Sequence, residues 1–207
     1  MGFYETRILP HLVRHACGLE RIRRQRERVV PLARGRVLEI GLGAGHNLAL
    51  YDPARVSRVW GLEPSAQMRR LAEPAGRTAG IDFEFSFLDA PGERVPLPDG
   101  SVDTVVVTYT LCTVPDPEAV VREMARVLRP GGEVLFCEHG AAPDASVRRW
   151  QDRITPIWKR LAGGCHLNRN PRDLIAAGGF DVSGVETGYV PGWRPASYNY
   201  WGRCARR

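Results

Sequence analysis

Short apolar runs alternate with amphipathic segments along most of the chain. Runs of four to eight residues that are typical of buried strands occupy residues 37–40, 56–62, 81–88, 102–108 and 134–137. Between them, apolar residues recur three or four positions apart, which predicts helices over residues 44–51, 65–77 and 117–128. A strand and a helix repeat about every thirty residues, and this order predicts a parallel sheet with right-handed crossovers. The expected fold class is α/β.

The two ends of the chain carry further signals. Apolar residues from Ile8 to Ile22 keep helical spacing opposite an Arg-rich side, which predicts an amphipathic helix ending near Pro31. A helix with one apolar face is predicted over residues 146–161, and two closing strands over 180–185 and 197–204. We therefore expect an N-terminal helical extension or lid over residues 1–31 and one domain over residues 32–207.

Composition favours a single globular domain. The 207 residues are 43% hydrophobic and 25% charged, as in an average soluble protein. No apolar run approaches the length of a membrane span and no signal-peptide pattern begins the chain, so we expect a cytoplasmic protein. The five cysteines are scattered and never spaced as Cys-x-x-Cys, which predicts free thiols and no metal site.

Positive charge is concentrated at one end. Residues 1–36 contain nine Arg and three acidic residues, and the remaining residues are balanced. Such a helix could contact an anionic membrane surface or nucleic acid, or it could be a solvated face without a partner. The rest of the chain lacks a basic stripe with interleaved aromatic residues, so nucleic acid is an unlikely partner.

The first predicted strand runs into a glycine-rich turn. Gly41, Gly43 and Gly45 allow a sharp bend and let the backbone approach a ligand closely. The third glycine of a dinucleotide fingerprint is replaced by His46, which argues against nicotinamide binding. No Gly-Lys-Ser/Thr sequence follows, so a phosphate-binding P-loop is excluded.

Polar residues follow the next strands. Glu63 ends the second strand, 22 residues after Gly41, where a carboxylate can accept hydrogen bonds from both hydroxyls of a ribose. The alternative is a strand-end acid beside a helix cap at Pro64 and Ser65. Asp89 and the amide of Ala90 follow the third strand and could pair with an adenine, although Asp is also common in turns for local reasons. The end of the fourth strand, at Thr108, should lie over the ligand at the same edge.

Together these segments resemble the class I S-adenosylmethionine-dependent methyltransferases. The resemblance covers about residues 36–140 and includes the glycine turn, Glu63, Asp89-Ala90 and the segments 98–103 and 127–132. It implies a seven-stranded sheet with an antiparallel last strand, and S-adenosyl-L-methionine as cofactor. It places the glycines at the methionine portion, Glu63 at the ribose and Asp89 with Ala90 at the adenine. The other cofactor-binding candidates are Glu39, Asn47, Pro64, Met68 and Thr108.

A closer resemblance extends over most of the chain. Residues 99–103, 111–114, 138–139 and 164–169 are similar to the methyltransferase-like proteins of endoplasmic reticulum and lipid droplets that methylate small alkyl thiols. The hydrophobic N-terminal anchor of those proteins is replaced here by the Arg-rich helix. The implied acceptor is a small, fairly apolar molecule, a thiol first. A phospholipid amine, a quinone-type ring and a non-catalytic cofactor-binding module are the alternatives.

His139 is the candidate catalytic residue. It follows the fifth predicted strand, where an imidazole could take the proton of an acceptor thiol. The alternative is a strand-end histidine satisfied by a backbone carbonyl. Cys112 and Cys165 have no histidine at a spacing that would pair with them, so we expect both to be inert packing residues.

Overall fold

The computed structural model describes residues 2–78 and 82–206. Seven strands form one sheet: β1 (Gly35–Ile40), β2 (Val56–Leu62), β3 (Glu84–Leu88), β4 (Val102–Thr108), β5 (Leu128–His139), β6 (Glu186–Tyr189) and β7 (Tyr198–Ala205). Six α-helices accompany it: α1 (Leu9–Cys17), α2 (Glu20–Arg26), α3 (Ala66–Thr78), α4 (Pro117–Val127), α5 (Ala145–Leu161) and α6 (Pro171–Ala177). A π-helix (Tyr4–Ile8) and three 3₁₀ segments (Val30–Leu32, Leu48–Leu50 and Arg194–Ala196) complete the described elements.

The strand order is β3-β2-β1-β4-β5-β7-β6. Strands β1 to β5 are parallel, and β7 runs antiparallel to both β5 and β6. The order turns in opposite directions from β1, so the carboxyl ends of β1 and β4 flank a topological switch point, where open α/β sheets bind their ligands. The predicted α/β class and the antiparallel last strand are confirmed.

The central strands are apolar on both sides because the sheet is covered on both faces. Val105 and Val107 of β4 face one core cluster, which also contains Phe136, and Val106 faces the other together with Leu135. Successive side chains of a strand point to opposite faces, so a strand buried on both sides shows a continuous apolar run rather than alternation. This is why the strands were visible in the sequence.

Two predicted elements are wrong. Residues 44–51 form turns and one 3₁₀ turn, Leu48–Leu50, rather than a helix. The reason is that Gly43 and Gly45 have φ of +58° and +77°, a conformation that an α-helix does not contain. Residues 180–185 make a single bridge, from Phe180 to Arg206, and the strand lies further on, in β6.

The N-terminal helix is divided. α1 ends at Cys17, and Leu19 has an extended backbone, with ψ of 141°, before α2 begins. The chain then packs against the sheet, where Val29, Val30 and Ala33 are buried. The boundary between residues 31 and 32 stays a prediction.

Helix α5 buries two polar side chains, Gln151 and Thr155, beside the apolar Val147. Gln151 is fully buried, and its amide donates to the carbonyls of Gly140 and Pro195, both at 2.9 Å, while its oxygen accepts from the Ala142 N–H. Trp150, which belongs to the predicted apolar face, is 58% exposed. The inward face is thus selected by hydrogen bonds that the sequence pattern does not show.

Candidate active site

The glycine turn after β1 lies against the loop after β4. Gly41 has φ of +72°, and a Cβ atom there would be 2.2 Å from Oγ1 of Thr110, so any side chain would collide with that loop. At Gly43 the nearest side-chain atom to such a Cβ is Cε of Met68, at 3.6 Å. Gly41 therefore serves close packing, and Gly43 leaves room for a ligand to approach the backbone.

Glu63, directly after β2, is bound to this turn. Its Oε2 accepts a hydrogen bond from the Gly43 N–H and its Oε1 accepts one from the Ser65 N–H, both at 2.9 Å. Burial raises the pKa of the Glu63 carboxyl, and the N–H groups of Ser65 and Gly43 oppose that rise. The structure thus brings together the two features, glycine turn and carboxylate, that the sequence predicted to hold one ligand.

Asp89 lies at the neighbouring strand end but already has a partner. Its two carboxylate oxygens accept from Nη1 and Nη2 of Arg69, both at 2.8 Å. The Arg69 guanidinium also donates to the carbonyl of Glu63, which ties the ends of β2 and β3 together. Ala90 follows Asp89, and the assignment of both residues to an adenine stays a prediction.

A buried polar network lies beneath the turn. Asn47 donates to Oε1 of Glu39 at 3.0 Å and to Oγ1 of Thr108 at 3.1 Å, and the Tyr51 hydroxyl donates to Oε2 of Glu39 at 2.7 Å. Arg26 donates through Nη1 to Oδ1 of Asn47, at 3.0 Å, and to the Thr108 hydroxyl. Glu39, Asn47 and Thr108, predicted as cofactor-binding residues, are therefore joined to one another and almost fully buried.

Arg26 was missed as a site residue. The sequence left open whether the arginines of the N-terminal region contact an anionic partner or form a solvated face, and both readings place them at the surface, but Arg26 is only 5% exposed. A signal was available, because Arg26 follows Ile22 by four residues and so continues the apolar stripe rather than the polar side. The N-terminal segment contributes a buried cation to the support of the turn.

Two cysteines and a histidine meet beside the loop after β4. The cluster consists of Cys112, in the middle of the turn at residues 111–113 of that loop, His139, the last residue of β5, and Cys165, after α5. Their ligand atoms, two Sγ and one imidazole nitrogen, lie within 4.8 Å of one another, and Nε2 of His139 is 3.2 Å from Sγ of Cys165. We call these three residues the Cys–His cluster. The predicted free thiols are confirmed, but sequence spacing did not relate the three residues.

Hydrogen bonds between thiols control the charge of the Cys–His cluster. The hydrogen bond from Cys165 and the nearby His139 hold the pKa of the Cys112 thiol well below its usual range, against the effect of burial. The donated hydrogen bond and burial raise the pKa of Cys165. Burial disfavours the His139 imidazolium, but the neighbouring Cys112 produces a net rise in the pKa of His139. Cys112 is the thiol of this cluster that favours the thiolate form.

Two buried or half-buried side chains fix the loop after β4, which runs from the glycine turn to the Cys–His cluster. Glu138 is buried, and its Oε1 accepts from the backbone N–H groups of Thr110 and Leu111. Its Oε2 has no partner among the described residues, and burial raises the pKa of this carboxyl well above its usual range. Arg169 donates to the carbonyls of Leu111 and Val114, both at 2.7 Å. Both residues lie in segments that carry the closer resemblance, 138–139 and 164–169, but neither was predicted as a site residue, because the resemblance gave them no role.

The buried Glu39 should make stability depend on pH. Burial raises the pKa of Glu39 to about 7 from 4.5, although Tyr51 and Arg26 favour its charged form. The folded chain then binds this proton more tightly than the unfolded chain, so the stabilisation present below pH 4.5 is lost as the pH rises through about 7, by about 3 kcal/mol in total. Urea unfolding between pH 5 and 8 measures the free energy of unfolding of the wild type and of Glu39→Gln. The free energy of the wild type should fall more steeply with pH than that of the variant. Equal slopes would contradict it.

Comparison with known proteins agrees with this site. Residues 38–136 match the methyltransferase domain family. The thiol S-methyltransferase TMT1B of Homo sapiens is 36% identical over 174 residues, which is 82% of this chain and 70% of that enzyme. A phosphatidylethanolamine N-methyltransferase of Cereibacter sphaeroides is 40% identical over 107 residues, 52% of each chain.

A solved structure shows the same fold. The geranyl diphosphate C-methyltransferase of Streptomyces coelicolor A3(2), solved with S-adenosyl-L-homocysteine, has a TM-score of 0.69 at 16% identity over 89% of this chain and 77% of that chain. The strand order, the glycine turn with its carboxylate, and the similarity to TMT1B over most of both sequences lead to one conclusion. The chain belongs to the class I S-adenosylmethionine-dependent methyltransferases.

Proposed function

We propose that this enzyme binds S-adenosyl-L-methionine at the glycine turn and transfers its methyl group to a small, fairly apolar thiol. The observation that carries the proposal is the position of the loop after β4, which packs against Gly41 through Thr110 and reaches the Cys–His cluster two residues later. A cofactor subsite and a cluster of thiol chemistry thus adjoin at one edge of the sheet.

The residues around the turn fit an adenosyl group. The Glu63 carboxylate can accept from two ribose hydroxyls, and the open side of Gly43 lets a ligand reach the backbone. Cε of Met68 lies beside Gly43, and Pro64 follows Glu63 in the chain. Asp89 with Ala90 would meet the adenine. The bound cofactor supplies a methyl group on a positively charged sulfur, which is electrophilic without further activation. The protein's own task is to orient the acceptor and exclude water.

The acceptor side is assigned to the Cys–His cluster. A thiol reacts as its thiolate, so the site needs a residue that removes the thiol proton or stabilises the thiolate. His139 is the candidate, because its ring lies in the Cys–His cluster and its Nδ1 has no partner among the described residues. The name of TMT1B supports the same acceptor class. A phospholipid amine is the second candidate, supported by the relative from Cereibacter sphaeroides.

Replacing Glu63 by Gln should weaken cofactor binding. The variant keeps the size of the side chain but loses the charge that strengthens hydrogen bonds to ribose hydroxyls, so the affinity for S-adenosylhomocysteine should fall about 10- to 100-fold. Titration calorimetry measures the fall. The matched control is Glu84→Gln, which changes an exposed glutamate of β3 that pairs with Arg58. This variant should bind S-adenosylhomocysteine like the wild type. Unchanged affinity of Glu63→Gln would show that Glu63 does not hold the ribose.

The acceptor is tested with a panel of compounds. Purified enzyme with S-adenosyl-L-methionine should convert small apolar thiols to their S-methyl products, and should not methylate phosphatidylethanolamine or a quinol of similar size. Mass spectrometry of the products decides between them. Methylation of the amine alone would favour the second candidate. Binding of S-adenosylhomocysteine without transfer to any acceptor would identify a non-catalytic module.

We also propose that the N-terminal region and α5 contact an anionic membrane surface. Trp150, Ile157 and Leu161 form an exposed apolar row on α5, and Arg149, Arg153 and Arg160 lie on the adjoining side of the helix.

The Tyr4 hydroxyl donates to the carbonyl of Leu161 at 2.6 Å, so the N-terminal segment, with exposed Leu12, continues this surface. Apolar side chains flanked by arginines suit a lipid headgroup boundary. None of the helices in residues 2–78 and 82–206 has the length and apolarity needed to cross a bilayer.

Vesicle flotation tests this contact. The enzyme should float with vesicles that contain phosphatidylserine, and it should remain at the bottom of the gradient when the vesicles contain only neutral phosphatidylcholine. The double variant Trp150→Gln/Ile157→Gln should lower the partition coefficient at least about tenfold, because two large apolar side chains leave the interface. Leu32→Gln changes an exposed apolar residue of the 3₁₀ segment Val30–Leu32, outside α5 and the Tyr4 contact, and is the control. Equal binding by the double variant and the wild type would refute the assignment of this surface.

A further inference from the structure

We propose that the Cys–His cluster is a binding site for a thiophilic divalent metal ion of the Zn²⁺ type, and that the ion holds the acceptor as a thiolate. The three protein ligands would be Sγ of Cys112, Nε2 of His139 and Sγ of Cys165. The ion-binding part stands on the geometry of these residues alone, whereas the role of the ion toward the acceptor rests on the proposed function.

The dimensions of the Cys–His cluster match such a site. Zn–S distances of about 2.3 Å and Zn–N distances of about 2.0 Å imply edges of about 3.5 Å between nitrogen and sulfur and about 3.8 Å between two sulfurs in a tetrahedron. The observed separation of Nε2 and the Cys165 sulfur is 3.2 Å, and all three atoms lie within 4.8 Å of one another. Shifts of a few tenths of an ångström in one edge and up to about an ångström in another would form the site.

The fold holds the ligands in place without an ion. The His166 N–H donates to the Cys112 carbonyl at 2.7 Å, which fixes the Cys165 loop against the loop after β4. Nε1 of Trp158 donates to Sγ of Cys165 at 3.4 Å, and His139 is fixed by the pairing of β5 with β7. Because three separate segments supply the ligands, their approach is a property of the tertiary fold.

A divalent ion suits the charge of the Cys–His cluster. Zinc binds cysteine as thiolate, so Cys112 and Cys165 would contribute two negative charges, which a divalent ion balances. Among the described residues, Arg169 lies beside this loop, and its guanidinium already donates to the carbonyls of Leu111 and Val114.

Three protein ligands leave one position of a tetrahedron open, as in catalytic rather than structural zinc sites. An acceptor thiol would fill it: its sulfur forms a bond to the ion, the S–H bond breaks, and the proton leaves to solvent. Metal-bound thiols are deprotonated outright, so the bound acceptor is held in its nucleophilic form. With the ion present, His139 acts as a ligand, and removal of the thiol proton does not need a free imidazole.

Metal content tests the site directly. After dialysis against Zn²⁺ in a phosphine reductant, the wild type should retain one equivalent by mass spectrometry. Cys112→Ala and Cys165→Ala should lower the affinity by more than the roughly 10- to 100-fold that loss of an outer partner costs. Cys204→Ala, a buried cysteine of β7 outside the Cys–His cluster, is the matched control and should retain the ion. A wild type without retained zinc, or equal retention by the Cys112 and control variants, would overturn the proposal.

Two further readouts separate this inference from the proposed function. With Co²⁺ in the site, a small alkyl thiol should change the visible spectrum of the wild type, and an unchanged spectrum would contradict the open position. His139→Ala removes the third ligand, so it should lose the ion as Cys112→Ala does, and retention of the ion at the level of the wild type would contradict a ligand role. All variants should bind S-adenosylhomocysteine like the wild type. If that binding is intact and zinc is not retained, only the metal inference fails.

Discussion

The site depends on the contact between the turn after β1 and the loop after β4. Residue 41 lies so close to Thr110 that a single methyl group would separate the two segments, and its backbone is left-handed, which costs a non-glycine residue about 1–2 kcal/mol. The contact fixes the distance from the glycine turn to Cys112, and therefore from the cofactor subsite to the acceptor subsite. An enzyme that works by orienting two reactants needs this spacing to be rigid.

Buried polar groups maintain that spacing from beneath. Glu39, Asn47, Thr108 and Arg26 connect β1, β4 and the N-terminal segment, and Glu138 connects β5 to the loop after β4. Each buried group is costly unless its partners are in place, so the network favours one arrangement of the strand ends over alternatives. Arg26 brings the N-terminal region into this network, because its guanidinium donates to Asn47, directly after the glycine turn, and to Thr108 at the end of β4.

The central strands were predictable because they are buried on both faces, so apolar runs such as that of β4 identify them without tertiary information. The edge strand β6 is half exposed and shows no such run, and the prediction placed it at residues 180–185 instead. The turn at residues 44–51 was not predictable in this way. Its apolar spacing favours a helix, and the positive φ of Gly43 and Gly45 is incompatible with one. The inward face of α5 depends on carbonyls that Gln151 meets far away in sequence. Glu63 was found because its separation from Gly41 reflects one local strand–turn–strand unit. The Cys–His cluster was not found from the sequence, because its cysteines are 53 positions apart and only the fold brings them together.

The central claim is that Glu63 and the glycine turn hold one adenosyl ligand beside the Cys–His cluster. A crystal structure with S-adenosylhomocysteine measures this most directly. The account predicts that both ribose hydroxyls donate to the Glu63 carboxylate and that the homocysteine sulfur points toward the loop bearing Cys112. A ligand bound elsewhere, with the Glu63 carboxylate making no contact to it, would contradict the account.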